Sequence, residues 1–294
     1  MTSHVGPGSP SAAGSPKTQA LAARLREISG AYTAKCTWAL TDLVTGEHIG
    51  EDEHDVMPTA SLIKAPILTA LYQAVHDGRL KLDERVTYGE RHRVLGSGVL
   101  ARLSYGVEMS VRDAATLMMI ISDNSATNMC IDLAGLENVN DLMTSLGLRN
   151  THLFLRLGDR SAGLDARKMS VSSAADMCAL FTLIGRHEAV SPDASEDMLR
   201  IMRRSDYRHE LSSELPWNEM NMLGDDPKQA WVAEKGGSFL NGVRTSAAVM
   251  KGPSGSFAMA AFCEGGTGPG TGRNAEGNVT FGALGKAAFD ALAS

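Results

Sequence analysis

The residues most able to do chemistry begin in the stretch TASLIKAPIL, where Ser61 precedes Lys64 by three positions. Residues so spaced share one face of a helix, so hydroxyl and amine can meet. A serine hydroxyl is a weak nucleophile until an adjacent base takes its proton. Lysine can be that base once burial and neighbouring cations lower its pKa. The flanking Leu62, Ile63, Ala65, Pro66, Ile67 and Leu68 are apolar and favour such burial. A helix start would also turn its positive dipole end toward Ser61, where an alkoxide or oxyanion forms. Taken alone, the tetrapeptide favours a plainer reading, with Ser61 as a helix cap and Lys64 as a solvated first-turn residue.

Two further stretches change that balance. ISDNSATN sets Ser122, Asp123 and Asn124 at the junction of two apolar helical patterns, and AWVAEKGGSF sets Lys235, Gly236 and Gly237 on a strand. S-x-x-K, then S-D-N, then a Lys-Gly-Gly run standing where K-T-G is usual, resemble the motif set of class A β-lactamases and penicillin-binding proteins. GSGVLARL and LGLRNTHL also fall in the family's order, and the resemblance runs from about residue 20 to the end. It implies a fold in which a sheet carries a helical insertion, and it implies roles. Ser61 is the nucleophile that forms an acyl-enzyme, and Lys64 is the base or part of the proton relay. Ser122 passes a proton to the leaving nitrogen, with Lys235 assisting electrostatically. The backbone N–H groups of Ser61 and Ser238 form the oxyanion hole. Asn124 holds the substrate's side-chain amide, Gly237 borders the substrate, and Arg244 binds its carboxylate. For Arg244 a surface strand charge is the equal alternative.

The sequence departs from the family at three places. Gly236 lacks the hydroxyl that helps hold a substrate carboxylate, a hydrogen bond worth about 1.5–3 kcal/mol. Aligning SVSSAADM with the family's helix start puts Ala166 at the glutamate that drives deacylation and Ser170 at its partner asparagine. Neither is a general base. Asp165, the nearest carboxylate, reads as a turn residue. Thr245 and Ser246 stand where relatives commonly carry an aspartate. The acylation machinery is thus nearly whole while the deacylation machinery is not, and a positioned general base is worth about 10²–10⁴-fold. The sequence therefore leads to a serine hydrolase that acylates Ser61 with a β-lactam or related amide or ester and releases it slowly. An acyltransferase or biosynthetic esterase or amidase using the same Ser–Lys pair is the alternative. A β-lactam-binding protein without turnover is a second.

The elements that must position these residues can be read from periodicity. Residues 1–17, rich in Gly, Pro, Ser and Ala, read as a flexible tail. Leu21, Leu25 and Ile28 have helical spacing, two strand-like runs turn near Thr45–Gly46, and the pattern from residue 55 to 226 is overwhelmingly helical. Ser110 and Asp113 form a capping box. Strand patterns return after Pro227, with a turn at Gly252–Gly255, and a last helix closes the chain. The expected architecture is α+β. A five-stranded antiparallel sheet from residues 18–54 and 227–294 carries flanking terminal helices, and an all-α insertion spans 55–226, with the site at their interface.

The chain's 294 residues are 43% hydrophobic and 21% charged, with a net charge of −6. That balance suits a soluble globular protein, suits a small-molecule substrate, by resemblance a carboxylate-bearing one, and argues against nucleic acid or anionic membrane as partner. No apolar run reaches the roughly 18 residues of a membrane span. The N-terminus has no signal-peptide core, so cytoplasmic residence is expected, or secretion if a leader was trimmed. No cofactor or metal is expected. Cys36, Cys130, Cys178 and Cys263 are scattered and form no C-x-x-C pair. His92 in ERHR reads as part of a solvated loop, the methionines as core, and GTGPGTG as a flexible connection without a phosphate-loop lysine.

Overall fold

The computed structural model describes residues 14–217, 229–267 and 272–294. Most of the expected tail, residues 1–13, lies outside them, as do the boundary expected at 226–227 and part of GTGPGTG. The tail is shorter than its composition suggested, because Pro16 and Lys17 already belong to helix α1 (Pro16–Gly30). Ser15 caps it by accepting from Thr18 N at 3.3 Å, and Pro16 takes the first position, where a missing N–H costs nothing.

Strands β1 (Lys35–Asp42) and β2 (His48–Glu51) follow, turning through Gly46 at φ 79°. Next come β3 (Met57–Pro58), a 3-10 turn (Ala60–Ile63) and α2 (Lys64–His76). The chain continues through β4 (Arg85–Thr87), β5 (Glu108–Ser110), α3 (Val111–Ile120), α4 (Asn124–Ala134) and α5 (Leu136–Ser145). Strands β6 (His152–Leu153) and β7 (Ser170–Ser172) precede α6 (Ala174–Gly185) and α7 (Pro192–Arg203). Three long strands, β8 (Trp231–Ser238), β9 (Arg244–Lys251) and β10 (Ser256–Glu264), and the closing α8 (Glu276–Leu292) complete it.

The main sheet runs β2-β1-β10-β9-β8, antiparallel throughout, so the first hairpin docks on the last strand with Trp38 opposite Ala261. Alternation along each strand divides its side chains between two cores. Trp38, Leu40, Val232, Ala248 and Met259 pack with Leu21 and Leu25 of α1 and Phe281 and Leu284 of α8. On the other face Ala39, Ala233, Ala247, Val249 and Ala260 join the core of α2 and α6. Small residues there let the helices approach the sheet closely. Helix α2 (KAPILTALYQAVH) is apolar nearly all round, which a helix can be only when enclosed, and ten of its residues are buried.

Two small sheets interrupt the stretch expected to be helical, in the orders β3-β7-β6 and β4-β5. Their strands are two or three residues long, too short to leave a period of two in the sequence. One of them matters for the site. Pairing of Pro58 with Val171 holds the loop before Ser170 against the turn that leads into Ser61.

His92 is a correction: it is 3% exposed, not solvated. Its Nδ1 accepts from Gly89 N at 3.0 Å, its Nε2 lies 3.2 Å from Asp132, and burial lowers its pKa. The expected core methionines (Met118, Met119, Met177, Met198 and Met202) are enclosed. All four cysteines are free thiols, with Cys36 and Cys263 directly opposite across β1 and β10. No described helix is long and apolar enough to cross a membrane.

Candidate active site

Ser61 sits in the 3-10 turn and Lys64 opens α2, so the two lie one turn apart at the start of the enclosed helix. Ser61 is not a helix cap, since Thr59 precedes the turn in that place. Lys64 has no exposed surface. Its Nζ lies 3.1 Å from Ser61 Oγ, 2.7 Å from Ser122 O, 2.9 Å from Ser122 Oγ and 2.9 Å from Asn124 Oδ1.

The Ser122 carbonyl and Asn124 Oδ1 can only accept, so each takes one N–H. A neutral amine has only those two, and its lone pair then faces the hydroxyls of Ser61 and Ser122. The geometry therefore accommodates the neutral form that a base requires. Burial pushes the Lys64 pKa well below its usual value, and the Lys235 ammonium pushes it the same way.

Ser122 is held in the left-handed region at φ 53°, a conformation costly for a residue with a Cβ. Asp123 over-determines it. The Asp123 carboxylate accepts from Val99 N at 2.6 Å, Leu100 N at 2.8 Å and Ala126 N at 2.9 Å. It thereby caps α4 and pins the preceding loop. The middle residue of S-D-N is thus a brace, while its neighbours face the nucleophile. Ala60, immediately before Ser61, is likewise at φ 44°. Strain on both sides of one site is a pattern associated with function.

Lys235, on β8, donates to Ser122 Oγ at 3.2 Å, so Ser122 bridges the two lysines. Burial lowers its pKa to about 8, against the opposing charges of Glu210 and Glu234. At neutral pH this is a cation beside a lysine poised to be neutral. Ser238, two residues beyond Gly236, ends β8 at the mouth of a cleft of about 510 Å³ that also contains Ser61, Asn124, Ala166 and Ser170. Gly237 fits directly against the nucleophile's turn. A Cβ placed there would lie 2.6 Å from Ser61 N and 2.8 Å from Leu62 N.

The positions aligned with the missing deacylation pair do face the cleft. Ala166 lines it as a methyl group. Ser170 Oγ lies 2.5 Å from Thr59 Oγ1. Asp165 is exposed and caps its own turn by accepting from Arg167 N at 3.0 Å. The one carboxylate among the described lining residues is Asp159. It accepts from Ser161 N and Oγ at 2.9 and 2.7 Å, and both bonds lower its pKa and so its strength as a base.

Arg244 takes a different place from Ser61's neighbours. It is 3% exposed and its guanidinium donates to the carbonyls of Phe239 and Val243 at 3.2 and 2.6 Å. It belongs to the opposite face of the sheet, with Glu234, Gly236 and Ser246. Thr245 and Ser246 are occupied structurally. Thr245 Oγ1 donates to Thr59 O at 2.7 Å and Ser246 Oγ to Glu234 at 2.6 Å.

Sequence reasoning missed Glu210 and Glu234. Glu234 is fully enclosed and accepts from Ser212 and Ser246. Burial and the neighbouring Glu210 raise its pKa to about 7. Its position next to Lys235 was a usable signal; Glu210 carried none, because a loop brings it there.

A five-stranded antiparallel sheet against a helical layer, with a serine, an enclosed lysine and a second serine where they meet, is the architecture of the β-lactamase-like serine hydrolases. The chain belongs to the β-lactamase enzyme family, whose sequence model matches residues 20–292. A solved β-lactamase from Sphaerobacter thermophilus is 25% identical, with a TM-score of 0.80 over 93% of this chain and 97% of that one. A variant of PBP-A, solved as an acyl-enzyme complex with penicillin G, is 26% identical with a TM-score of 0.77 and the same coverage of both chains. Among curated proteins, the β-lactamase regulatory protein BlaB of Streptomyces cacaoi is 25% identical over 115 residues, which is 39% of this chain and only 37% of that protein.

Proposed function

We propose that the protein is a serine acyl-transfer enzyme that acylates Ser61 with a β-lactam or a related activated amide or ester, and that release of the acyl group is slow. One observation carries this reading: an amine with no exposed surface stands 3.1 Å from the Ser61 hydroxyl, its pKa depressed by burial and by a second lysine. Ser61 Oγ attacks the carbonyl carbon as Lys64 Nζ takes the hydroxyl proton. The negative charge develops on the carbonyl oxygen, near the N–H groups of Ser61 and Ser238. As the C–N or C–O bond breaks, Ser122 delivers its proton to the leaving atom and regains one from Lys64. Lys235 stabilises charge on Ser122 during that transfer. The PBP-A variant's capture as a penicillin G acyl-enzyme lends support through a related fold.

A second reading, that an amine or alcohol instead of water accepts the acyl group, is favoured by Ala166. The cleft beside Ser61 offers a methyl group where a base would activate water, and is lined by Val94, Leu95, Leu153, Leu157 and Phe239. Incubation with a chromogenic cephalosporin separates the readings, followed by absorbance for burst and steady state and by intact mass for the adduct. A stoichiometric burst with a persistent adduct on Ser61 is expected. Acceleration of its loss by an added amine or alcohol selects acyl transfer. Absence of any adduct with β-lactams and with activated esters alike rejects both.

A further inference from the structure

The middle residue of the Lys-Gly-Gly run, Gly236, was expected to cost a hydrogen bond to substrate. Its vacancy is filled from elsewhere in the chain. A Cβ on Gly236 would lie 2.5 Å from both Cδ and Oε1 of Glu210 and 2.9 Å from its Oε2. The Glu210 carboxylate therefore stands in the volume that a side chain at 236 would claim. It is 9% exposed, and Oε2 accepts from the neighbouring His209 N at 3.2 Å.

We propose that Glu210 is a specificity-determining residue, whose carboxylate fills the place beside Gly236 that the family resemblance gives to a substrate carboxylate and selects acyl donors that are neutral or cationic at that end. This deepens the function proposed above and rests on it for the chemistry at Ser61. It also reverses the carboxylate-bearing substrate that the family resemblance implies.

The charges at this place support it. Lys235 and Arg244 are the two cations that the family resemblance brings to a substrate carboxylate. Glu210 acts on both, raising the pKa of each against the depression caused by burial. Glu234, fully enclosed one residue before Lys235, is a further acid in the group. A negative charge acting on both cations weakens the field that would draw in an anion. An entering carboxylate would also be desolvated beside a like charge, which is unfavourable in a low-dielectric cleft. A donor N–H or an ammonium on the substrate instead finds Glu210 as a ready acceptor. Glycine at 236 is what makes the arrangement possible, since even an alanine Cβ would displace the carboxylate.

The test uses a penicillin with its free carboxylate and the same penicillin as its neutral methylamide. Binding of each is measured by calorimetry to the Ser61→Ala protein, which cannot be acylated, alone and combined with Glu210→Gln. The methylamide is expected to bind Ser61→Ala at least as tightly as the acid. Glu210→Gln is expected to tighten the acid at least tenfold while changing the methylamide less than threefold. Gly236→Ala, which pushes the carboxylate aside with its charge intact, moves the ratio the same way and guards against a folding defect in Glu210→Gln. Tighter binding of the acid to Ser61→Ala by tenfold or more, an acid-to-amide ratio indifferent to both variants, or no binding of either probe overturns the proposal. Intact mass of wild-type protein with the same two compounds is read separately. Binding that follows the expected pattern without an adduct on Ser61 overturns the proposed acylation and leaves the role of Glu210 standing.

Discussion

Gly237→Ala is the smallest change that tests how strand β8 and the nucleophile's turn are fitted together. The added Cβ would lie 2.6 Å from Ser61 N, 2.7 Å from Thr245 Oγ1 and 2.8 Å from Leu62 N. Ordinary contact begins near 3.4 Å, so strand and turn must separate by 3.4 − 2.6 = 0.8 Å. Two of the three atoms are backbone and cannot swing away, and Thr245 Oγ1 is itself tied to Thr59 O. Overpacking of this kind costs about 1–3 kcal/mol. For a chain of this size each kcal/mol lowers the melting temperature by about 2–4 °C, so a loss of about 2–12 °C is expected. The functional effect should be larger than the structural one. Ser61 N is one of the two proposed oxyanion donors, and removing such a donor costs about 10²–10³-fold. A misplacement near 1 Å is by itself worth about 10²-fold. Acylation of Gly237→Ala by a chromogenic cephalosporin, followed by intact mass with melting measured in parallel, should therefore fall about a hundredfold in a protein that remains folded. Acylation within threefold of wild type at an unchanged melting temperature would refute both the contact and the placing of the oxyanion hole.

Other outcomes follow from the same geometry. Lys64→Met keeps the volume of the enclosed side chain and removes the base, so acylation should drop by at least about 10²–10⁴-fold in a folded protein, read by adduct formation over hours. Ala166→Glu, combined with Ser170→Asn, should speed loss of the adduct by about 10²–10⁴-fold without speeding its formation; an adduct lost equally fast from wild type shows that no base was missing. The acylation rate should rise with pH as Lys64 loses its proton and fall above about pH 8 as Lys235 loses its charge. Lys235→Arg should move that alkaline limb up by more than one unit in a pH profile, because guanidinium does not titrate there. Glu234 has a folded pKa raised from 4.5 to about 7, so its stabilising contribution is whole below pH 4.5 and is lost as pH rises through 7. Glu234→Gln should flatten that decline in denaturant melts between pH 4.5 and 8.

How far the sequence could be read follows from the range over which each signal acts. Ser61 and Lys64 are adjacent on one turn, and Ser122 to Asn124 and Lys235 to Gly237 are contiguous, so their types and order sufficed. The long strands and helices betrayed themselves by period. The two small sheets did not, because two or three residues hold no period, yet Pro58 opposite Val171 is what presses the loop carrying Ala166 against the site. His92 misled because its charged neighbours suggested solvent, whereas Asp132, distant in sequence, meets it under cover.

Glu210 shows the same limit at the place that matters for substrate choice. A sequence read against a motif sees only that a hydroxyl is missing at 236, and assigns a weakened version of the usual pocket. Physically, removing a side chain from a partly buried position leaves a volume that neighbouring groups can fill, because interiors close to native density. Here the filler is another residue's carboxylate, carried in by the loop after α7 and set within 2.5 Å of where a Cβ at 236 would stand. The loss of one neutral hydroxyl is thereby converted into the gain of one negative charge. The two changes have opposite consequences. Loss of a hydroxyl weakens a carboxylate's grip by a single hydrogen bond, whereas an internal carboxylate competes for both cations at once. Departures from a motif are therefore best judged by what occupies the vacated space, and at Gly236 the occupant inverts the charge preference that the rest of the motif would suggest.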